Sequence, residues 1–151
     1  MIIAKGVAVL EISGSVVGQP AMIYPTLVWD NEDVILIDTG WQMPLIVEAM
    51  EKVGVSLNKL TKVILTHQDL DHISGLPGIL KSAEQKVEVM AHEVEKPYIE
   101  GEKPLVKATP DLKKELQKML GEEKAAQVEA VFRNPPTSNV DRALADGEVL
   151  P

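Results

Sequence analysis

The ten residues Val63-Ile64-Leu65-Thr66-His67-Gln68-Asp69-Leu70-Asp71-His72 join a short apolar run to a dense group of polar side chains. The run at 63–66 predicts a short buried strand, and the polar group follows directly where that strand ends. In α/β sheets, sites are placed at the carboxyl ends of strands. This stretch therefore predicts an α/β sheet with a candidate functional site at its edge.

The polar group has the composition of a metal site. Two imidazoles and two carboxylates lie within residues 67–72, and the chain holds only three histidines. Neutral imidazole and carboxylate are ligands that Zn²⁺, Mn²⁺ and Fe²⁺ accept. The spacing allows His67 and Asp69 to face one ion while Asp71 and His72 face a second, and two such ions can hold a bridging hydroxide. The alternative is a polar loop in which Asp71 caps a helix and the histidines are incidental.

The flanking sequence alternates between strand and helix patterns. Apolar runs at 7–12, 23–29 and 34–37 predict strands, with the polar tetrad 30–33 as a hairpin turn between the last two. The run at 34–37 is apolar on both faces, which predicts a buried central strand. A helix with Pro44 in its first turn, a helical segment at 73–80 and an alternating strand at 86–91 follow. Together these elements predict an α/β fold.

The composition and net charge of the chain exclude or disfavour several classes of function. The 151 residues fit one globular domain, with 45% hydrophobic and 25% charged residues. The net charge of −8 argues against nucleic acid or an anionic membrane as partner. The absence of cysteine excludes disulfides, thiolate metal sites and a cysteine nucleophile. Without a membrane-length apolar run or a signal-peptide layout at the start, we expect a soluble cytoplasmic protein.

The segment 67–72 resembles the metal-binding signature of the metallo-β-lactamase superfamily, His-x-His-x-Asp-His. Asp69 stands where the signature has its second His, a variant similar to one branch of hydrolase-like proteins in the superfamily. Leu36-Ile37-Asp38-Thr39-Gly40 resembles the family strand that ends in Asp-Thr-Gly, and 63–67 resembles the strand that delivers the first ligand. The resemblance implies an α/β (α+β) fold that is half of an αβ/βα sandwich, with a mixed β-sheet and helices on one face.

The resemblance also implies roles for single residues. His67, Asp69, Asp71 and His72 would be metal ligands, and Asp71 would in addition be catalytic by orienting the nucleophilic water or accepting its proton. We expect Asp38 to support the metal loop by hydrogen bonds rather than to bind metal, although an Asp before Thr-Gly also commonly forms a simple turn. The implied cofactor is Zn²⁺, as one or two ions in the full-length site. The Asp69 carboxylate shifts preference toward Mn²⁺ or Fe²⁺.

The resemblance covers the N-terminal part of the family domain. It divides the chain into a first αβ half with the metal loop at 1–92, a helical insertion at 93–139 and the start of a second half at 140–151. The family's next histidine, in a Gly-His-Thr-Pro-Gly-His-like segment, should then follow residue 151. His92 does not lie in such a segment, and we expect it to be a partly buried histidine at the end of a strand.

The implied function is a hydrolase in which metal-bound hydroxide attacks an ester, thioester, lactone, amide or phosphodiester of a small-molecule substrate. With two ligands per ion, this chain alone should have little activity, since catalytic zinc sites have three protein ligands and a water. The alternative is a non-catalytic metal-binding or interaction half-domain. We also expect a homo-oligomer through the apolar sheet face that the missing half would cover. The acidic charge disfavours the nuclease branch of the superfamily.

Overall fold

The computed structural model describes residues 1–16 and 18–151 of the chain. Over these residues seven of the nine strands belong to a single mixed sheet. The strands are β1 (Ile2–Ala4), β2 (Val7–Val9), β3 (Ile12–Val16), β4 (Gln19–Ile23), β5 (Thr26–Trp29), β6 (Val34–Ile37), β7 (Lys62–Leu65), β8 (Glu88–His92) and β9 (Arg142–Leu144). The helices are α1 (Met43–Lys52), α2 (Leu70–Ile73), α3 (Leu76–Ser82), α4 (Lys96–Ile99), α5 (Leu112–Leu120) and α6 (Glu122–Arg133), with a 3₁₀ turn at Leu57–Lys59.

The main sheet has seven strands in the order β1-β2-β5-β6-β7-β8-β9, so β6 lies at its centre as predicted. Strands β1, β2, β5 and β6 pair antiparallel, whereas β6, β7, β8 and β9 run parallel. The hairpin between β5 and β6 is confirmed, and the carboxylate of Asp30 accepts the backbone N–H groups of Glu32 and Asp33 at 2.8 Å each. Strands β3 and β4 form a separate two-stranded ribbon.

The core lies on one face of this sheet. Leu27, Leu36 and Val63 stand in register across β5, β6 and β7 and are fully buried. Helices α1 and α3 cover them with Ile46, Met50 and Ile79, which are also fully buried. A mixed sheet with helices on one face therefore confirms the predicted fold class.

The opposite face of the sheet is only half-buried. Val28, Ile35 and Lys62 stand in register there across β5, β6 and β7, and each keeps part of its surface in solvent. The expectation that β6 is buried on both faces is therefore met on one face only.

The segment 93–139 contains α4, α5 and α6, and its assignment as an insertion stays a prediction. Helices α5 and α6 pack on each other around a small second core of Leu112, Leu116 and Ala125, against which Phe132 lies. This helical pair thus carries a core of its own beside the main one.

Candidate metal centre

The candidate site forms where two neighbouring parallel strands end. Asp38 directly follows β6, and the loop from Thr66 to His72 follows β7. Because β6 and β7 are parallel and hydrogen-bonded, their carboxyl ends meet at one edge of the sheet. The backbone N–H of Asp38 donates to the carbonyl of Ile64 at 2.9 Å, which joins the two chain segments at this edge.

The carboxylate of Asp38 ties the loop to the sheet. Its Oδ1 accepts the backbone N–H of Thr66 at 2.8 Å, and its Oδ2 accepts the Thr66 hydroxyl at 2.7 Å. Oδ2 also lies 2.8 Å from Nδ1 of His72. Asp38 is buried, and it adopts a left-handed backbone conformation with φ of 64°, which Asp and Asn tolerate better than most residues.

These hydrogen bonds settle which nitrogen of each imidazole carries the proton. The Thr66 hydroxyl has one hydrogen and donates it to Asp38, so it can only accept from Nδ1 of His67, 2.8 Å away. Nδ1 of His72 likewise faces a carboxylate that can only accept. In their neutral forms both histidines therefore carry the proton on Nδ1, which leaves the lone pair of Nε2 free for a metal.

Each free Nε2 lies beside one carboxylate of the loop. Nε2 of His67 is 3.4 Å from Oδ2 of Asp69, and Nε2 of His72 is 3.4 Å from Oδ2 of Asp71. Two ligands that each lie about 2.0–2.1 Å from a tetrahedral zinc are about 3.3–3.4 Å apart. The donor types, tautomers and separations thus fit a divalent metal, and the pairs are those that the sequence assigned to separate ions. The ligand assignment itself stays a prediction.

A tighter group also forms from ligand atoms of Asp38, His67 and His72, which all lie within 4.8 Å of one another. The two histidine rings are close, with centroids 4.1 Å apart. Both oxygens of Asp38 accept hydrogen bonds from the loop, and whether Asp38 supports the loop or binds metal stays a prediction. Asp69 and Asp71 lie outside this tighter group.

The electrostatics of the site shift His72 toward its charged form relative to a free imidazole when no metal is present. The hydrogen bond from His72 to Asp38 raises the pKa of the imidazole above its ordinary value of 6.5, and the negative charges of Asp71 and Asp69 add to this effect while burial opposes it. A proton and a metal ion compete for Nε2, so the raised pKa couples metal binding to pH.

Hydrogen bonds from the Asp38-Thr39-Gly40 turn hold the backbone of the metal loop and of α2 in place. The carbonyl of His72 accepts both the N–H and the hydroxyl of Thr39, at 2.9 and 2.8 Å. The carbonyl of Gly40 accepts the N–H of Gly75 at 2.9 Å. A Cβ at Gly75 would lie 2.5 Å from the carbonyl oxygen of Thr39, so the close approach requires glycine. The predicted helical segment at 73–80 is interrupted here between α2 and α3, and Pro77 in the first turn of α3 has no N–H with which to continue the hydrogen bonds of α2.

The sequence pattern did not reveal three residues that connect the metal loop to the segment 93–139, namely Gln68, Glu95 and Lys107. Gln68 is buried, its backbone and side-chain N–H groups donate to the Glu95 carboxylate at 2.9 and 3.1 Å, and its Oε1 accepts the N–H of Val106 at 2.7 Å. Nζ of Lys107 lies 2.5 Å from Oδ2 of Asp69. These contacts join residues 27 to 38 positions apart, and no local pattern in the sequence marks them.

His92 lies at the end of β8 and is half-buried, as expected. Its Nδ1 accepts the backbone N–H of Val94 at 3.2 Å. The carboxylate–histidine group described above does not include it.

The chain is thus an α/β protein with a mixed sheet and helices on one face of it. The histidines and carboxylates at the strand ends form a candidate divalent-metal centre. The family model of the metallo-beta-lactamase superfamily matches residues 18–147, and the chain belongs to this superfamily. Among curated protein sequences, none matches significantly. Over the described residues, no helix has the length and apolar character needed to cross a membrane.

Solved structures share the fold. Native FEZ-1 metallo-beta-lactamase from Legionella gormanii is 17% identical over 97% of this chain and 46% of its own, with a TM-score of 0.67. MEM-A1, a subclass B3 metallo-beta-lactamase isolated from a soil metagenome library, is 20% identical over 97% of this chain and 46% of its own, with a TM-score of 0.63. BJP-1, a subclass B3 metallo-beta-lactamase of Bradyrhizobium japonicum, is 23% identical over 83% and 40%, with a TM-score of 0.61. The chain thus spans less than half the length of these structures.

Proposed function

We propose that the chain carries the metal-binding part of a metal-dependent hydrolase that acts on an ester, thioester, lactone, amide or phosphodiester. The observation that carries the proposal is the pair of histidines whose Nδ1 atoms are engaged by Thr66 and Asp38 while each Nε2 faces a carboxylate. Superfamily membership and the candidate ligand group support it.

Each residue of the site would have a distinct role. His67, Asp69 and His72 hold the metal, and Asp38 fixes the orientation of the His72 ring. A bound divalent metal supplies a Lewis acid that lowers the pKa of a coordinated water. Asp71, half-buried beside His72, binds metal and orients the attacking water or accepts its proton. We propose Zn²⁺ as the resident metal, with Mn²⁺ and Fe²⁺ favoured relative to an all-histidine site by the Asp69 carboxylate.

The ligand count bears on how active this chain is alone. Each histidine–carboxylate pair offers two ligands, whereas a catalytic zinc site usually has three protein ligands and a water. We therefore propose that the chain by itself binds metal weakly and has little hydrolytic activity. The same observation motivates the second candidate, a non-catalytic metal-binding or interaction half-domain.

The test compares the chain with His72→Ala and with His92→Ala, a matched control that removes a histidine outside the site. Zinc binding is measured by isothermal titration calorimetry. Hydrolysis of 4-nitrophenyl acetate, a lactone and bis(4-nitrophenyl) phosphate is measured with and without EDTA. We expect zinc binding that His72→Ala weakens and His92→Ala leaves intact, and any turnover to disappear with EDTA. Turnover that survives both EDTA and His72→Ala, or an absence of zinc binding, contradicts the proposal.

A longer polypeptide of the same reading frame separates the two candidates. If it hydrolyses one of these compounds in a zinc-dependent way that His72→Ala abolishes, the hydrolase is supported. If it binds zinc through His72 and hydrolyses none of them, the non-catalytic half-domain is supported instead.

A further inference from the structure

A cleft of about 400 Å³ opens directly beside the candidate metal centre. The predicted ligands Asp69 and Asp71 are among its lining residues, together with Lys107. The rest of its lining is mainly apolar, and the apolar members are Trp41, Leu70, Val131, Phe132 and Pro136. The volume falls within the range of small-molecule sites, which commonly combine apolar walls with a few polar groups.

One wall is Trp41, whose position depends on a glycine. The indole packs so closely on the backbone of Gly14 in β3 that a Cβ at Gly14 would lie 2.4 Å from Cε3 of Trp41. The ring is thereby held between the β3–β4 ribbon and the cleft. A side chain at position 14 must displace the indole of Trp41. A substitution in β3 can therefore change the lining of the cleft.

The other wall is the end of α6. Phe132 lines the cleft and also packs on the small core between α5 and α6, so its ring is supported from behind. The next residue, Arg133, donates from its guanidinium to the carbonyls of Ala108 and Thr109 at 2.6 and 2.7 Å. This fastens the end of α6 to the loop that carries Lys107. Both walls are therefore formed before any ligand arrives.

We propose that this cleft binds the apolar acyl group of the substrate, a medium-length alkyl or aryl chain, with the reacting carbonyl directed toward Asp71. The proposal rests on the proposed function and narrows it to neutral esters, thioesters, lactones or amides. Carboxylates and apolar side chains line the same cleft, and a neutral compound with an apolar acyl chain matches both. Among the described lining residues Lys107 is the one cation, and it is already paired with Asp69, so the cleft offers no free positive side chain to a phosphodiester anion.

The test measures binding without metal, so that it does not depend on catalysis. In a Trp29→Phe background Trp41 is the remaining one of the two tryptophans, and its emission reports ligand binding in EDTA. Octanamide and propanamide serve as neutral probes with long and short chains. Because each buried CH₂ adds to affinity, we expect saturable binding of octanamide that is at least about tenfold tighter than that of propanamide.

Two substitutions on different elements locate the binding. Gly14→Ala, which displaces the Trp41 ring, and Phe132→Ala, which removes the opposite wall, should each weaken octanamide binding by about tenfold. Met119→Ala is the control, since Met119 lies on the same helical pair, is 64% exposed and is not part of the cleft lining. Far-UV circular dichroism establishes that each variant is folded.

The inference is overturned if octanamide gives no saturable signal, if both amides bind equally, or if folded Gly14→Ala and Phe132→Ala variants bind octanamide like the parent. Zinc binding, measured separately, distinguishes the two proposals. If the parent chain binds zinc but not octanamide, the cleft alone is overturned, and if it binds octanamide but not zinc, the metal site alone is contradicted.

Discussion

Asp38→Asn tests the network that prepares both histidines. Asn keeps an oxygen that can accept the N–H of Thr66, and it tolerates the left-handed backbone at this position. Its amide nitrogen, however, stands where Oδ2 accepted the Thr66 hydroxyl and Nδ1–H of His72. The substitution therefore removes two hydrogen bonds to a carboxylate oxygen and places the NH₂ group of Asn opposite two other donors, the Thr66 hydroxyl and Nδ1–H of His72.

The size of the effect follows from these contacts. Hydrogen bonds to charged groups contribute about 1.5–3 kcal/mol each when buried. Asp38 is 7% exposed, but Thr66 is exposed and the His72 side chain is partly so, which places the loss near the lower end. We expect the free energy of unfolding of the metal-free chain to fall by about 2–4 kcal/mol. With the His72 ring no longer fixed, zinc affinity should fall by about 10–100-fold.

Urea unfolding in EDTA gives the stability, and calorimetric zinc titration gives the affinity. Asp146→Asn is the matched control, because it makes the same chemical change at an exposed carboxylate far along the chain. If Asp38→Asn unfolds within about 0.5 kcal/mol of the parent and binds zinc equally well, the supporting role of Asp38 is refuted.

Further predictions follow from the same contacts. Gly75→Ala should cost about 1–3 kcal/mol in urea unfolding, because its Cβ meets the carbonyl of Thr39; unchanged stability contradicts this close approach. Gln68→Ala should free the segment 93–107 and speed its amide hydrogen exchange, whereas unchanged exchange means that Gln68 does not hold it. Because the folded pKa of His72 is raised above 6.5, protonated His72 stabilises the metal-free chain fully below about pH 6.5. This contribution is lost as pH rises through the folded pKa, while zinc affinity increases over the same window; parallel urea and zinc titrations against pH check both, and flat profiles contradict them. Size-exclusion chromatography should show a homo-oligomer formed through the half-exposed sheet face, and a clean monomer over a wide concentration range contradicts it.

The sequence predicted what depends on local pattern. The apolar run before Asp38, the hairpin turn at 30–33 and the strand before His67 each carry period and turn chemistry that the chain shows directly. The order of these elements with two family motifs was enough to predict the sheet, the helices on one face and the location of the candidate site at the strand ends.

What the sequence could not predict depends on contacts between distant segments. The predicted helix at 73–80 is interrupted near Gly75, and the close approach of Gly75 to the carbonyl of Thr39 is not visible in a helical pattern because that neighbour comes from another segment. The same holds for Gln68, which is hydrogen-bonded to Glu95 and Val106 of the insertion, and for Phe132, which lines the same cleft as Trp41. Those positions read as ordinary polar or apolar residues until the fold brings them together.

The central claim is that residues 67–72 bind a divalent metal. The most direct measurement is the metal content per chain after expression with Zn²⁺ and Mn²⁺ supplements, compared with an Asp71→Ala, His72→Ala double variant and with His92→Ala. We expect a measurable fraction of an ion per chain in the parent and in His92→Ala, as weak binding by the chain alone implies, and a large loss in the double variant. Equal, near-zero metal in the parent and the double variant would contradict it.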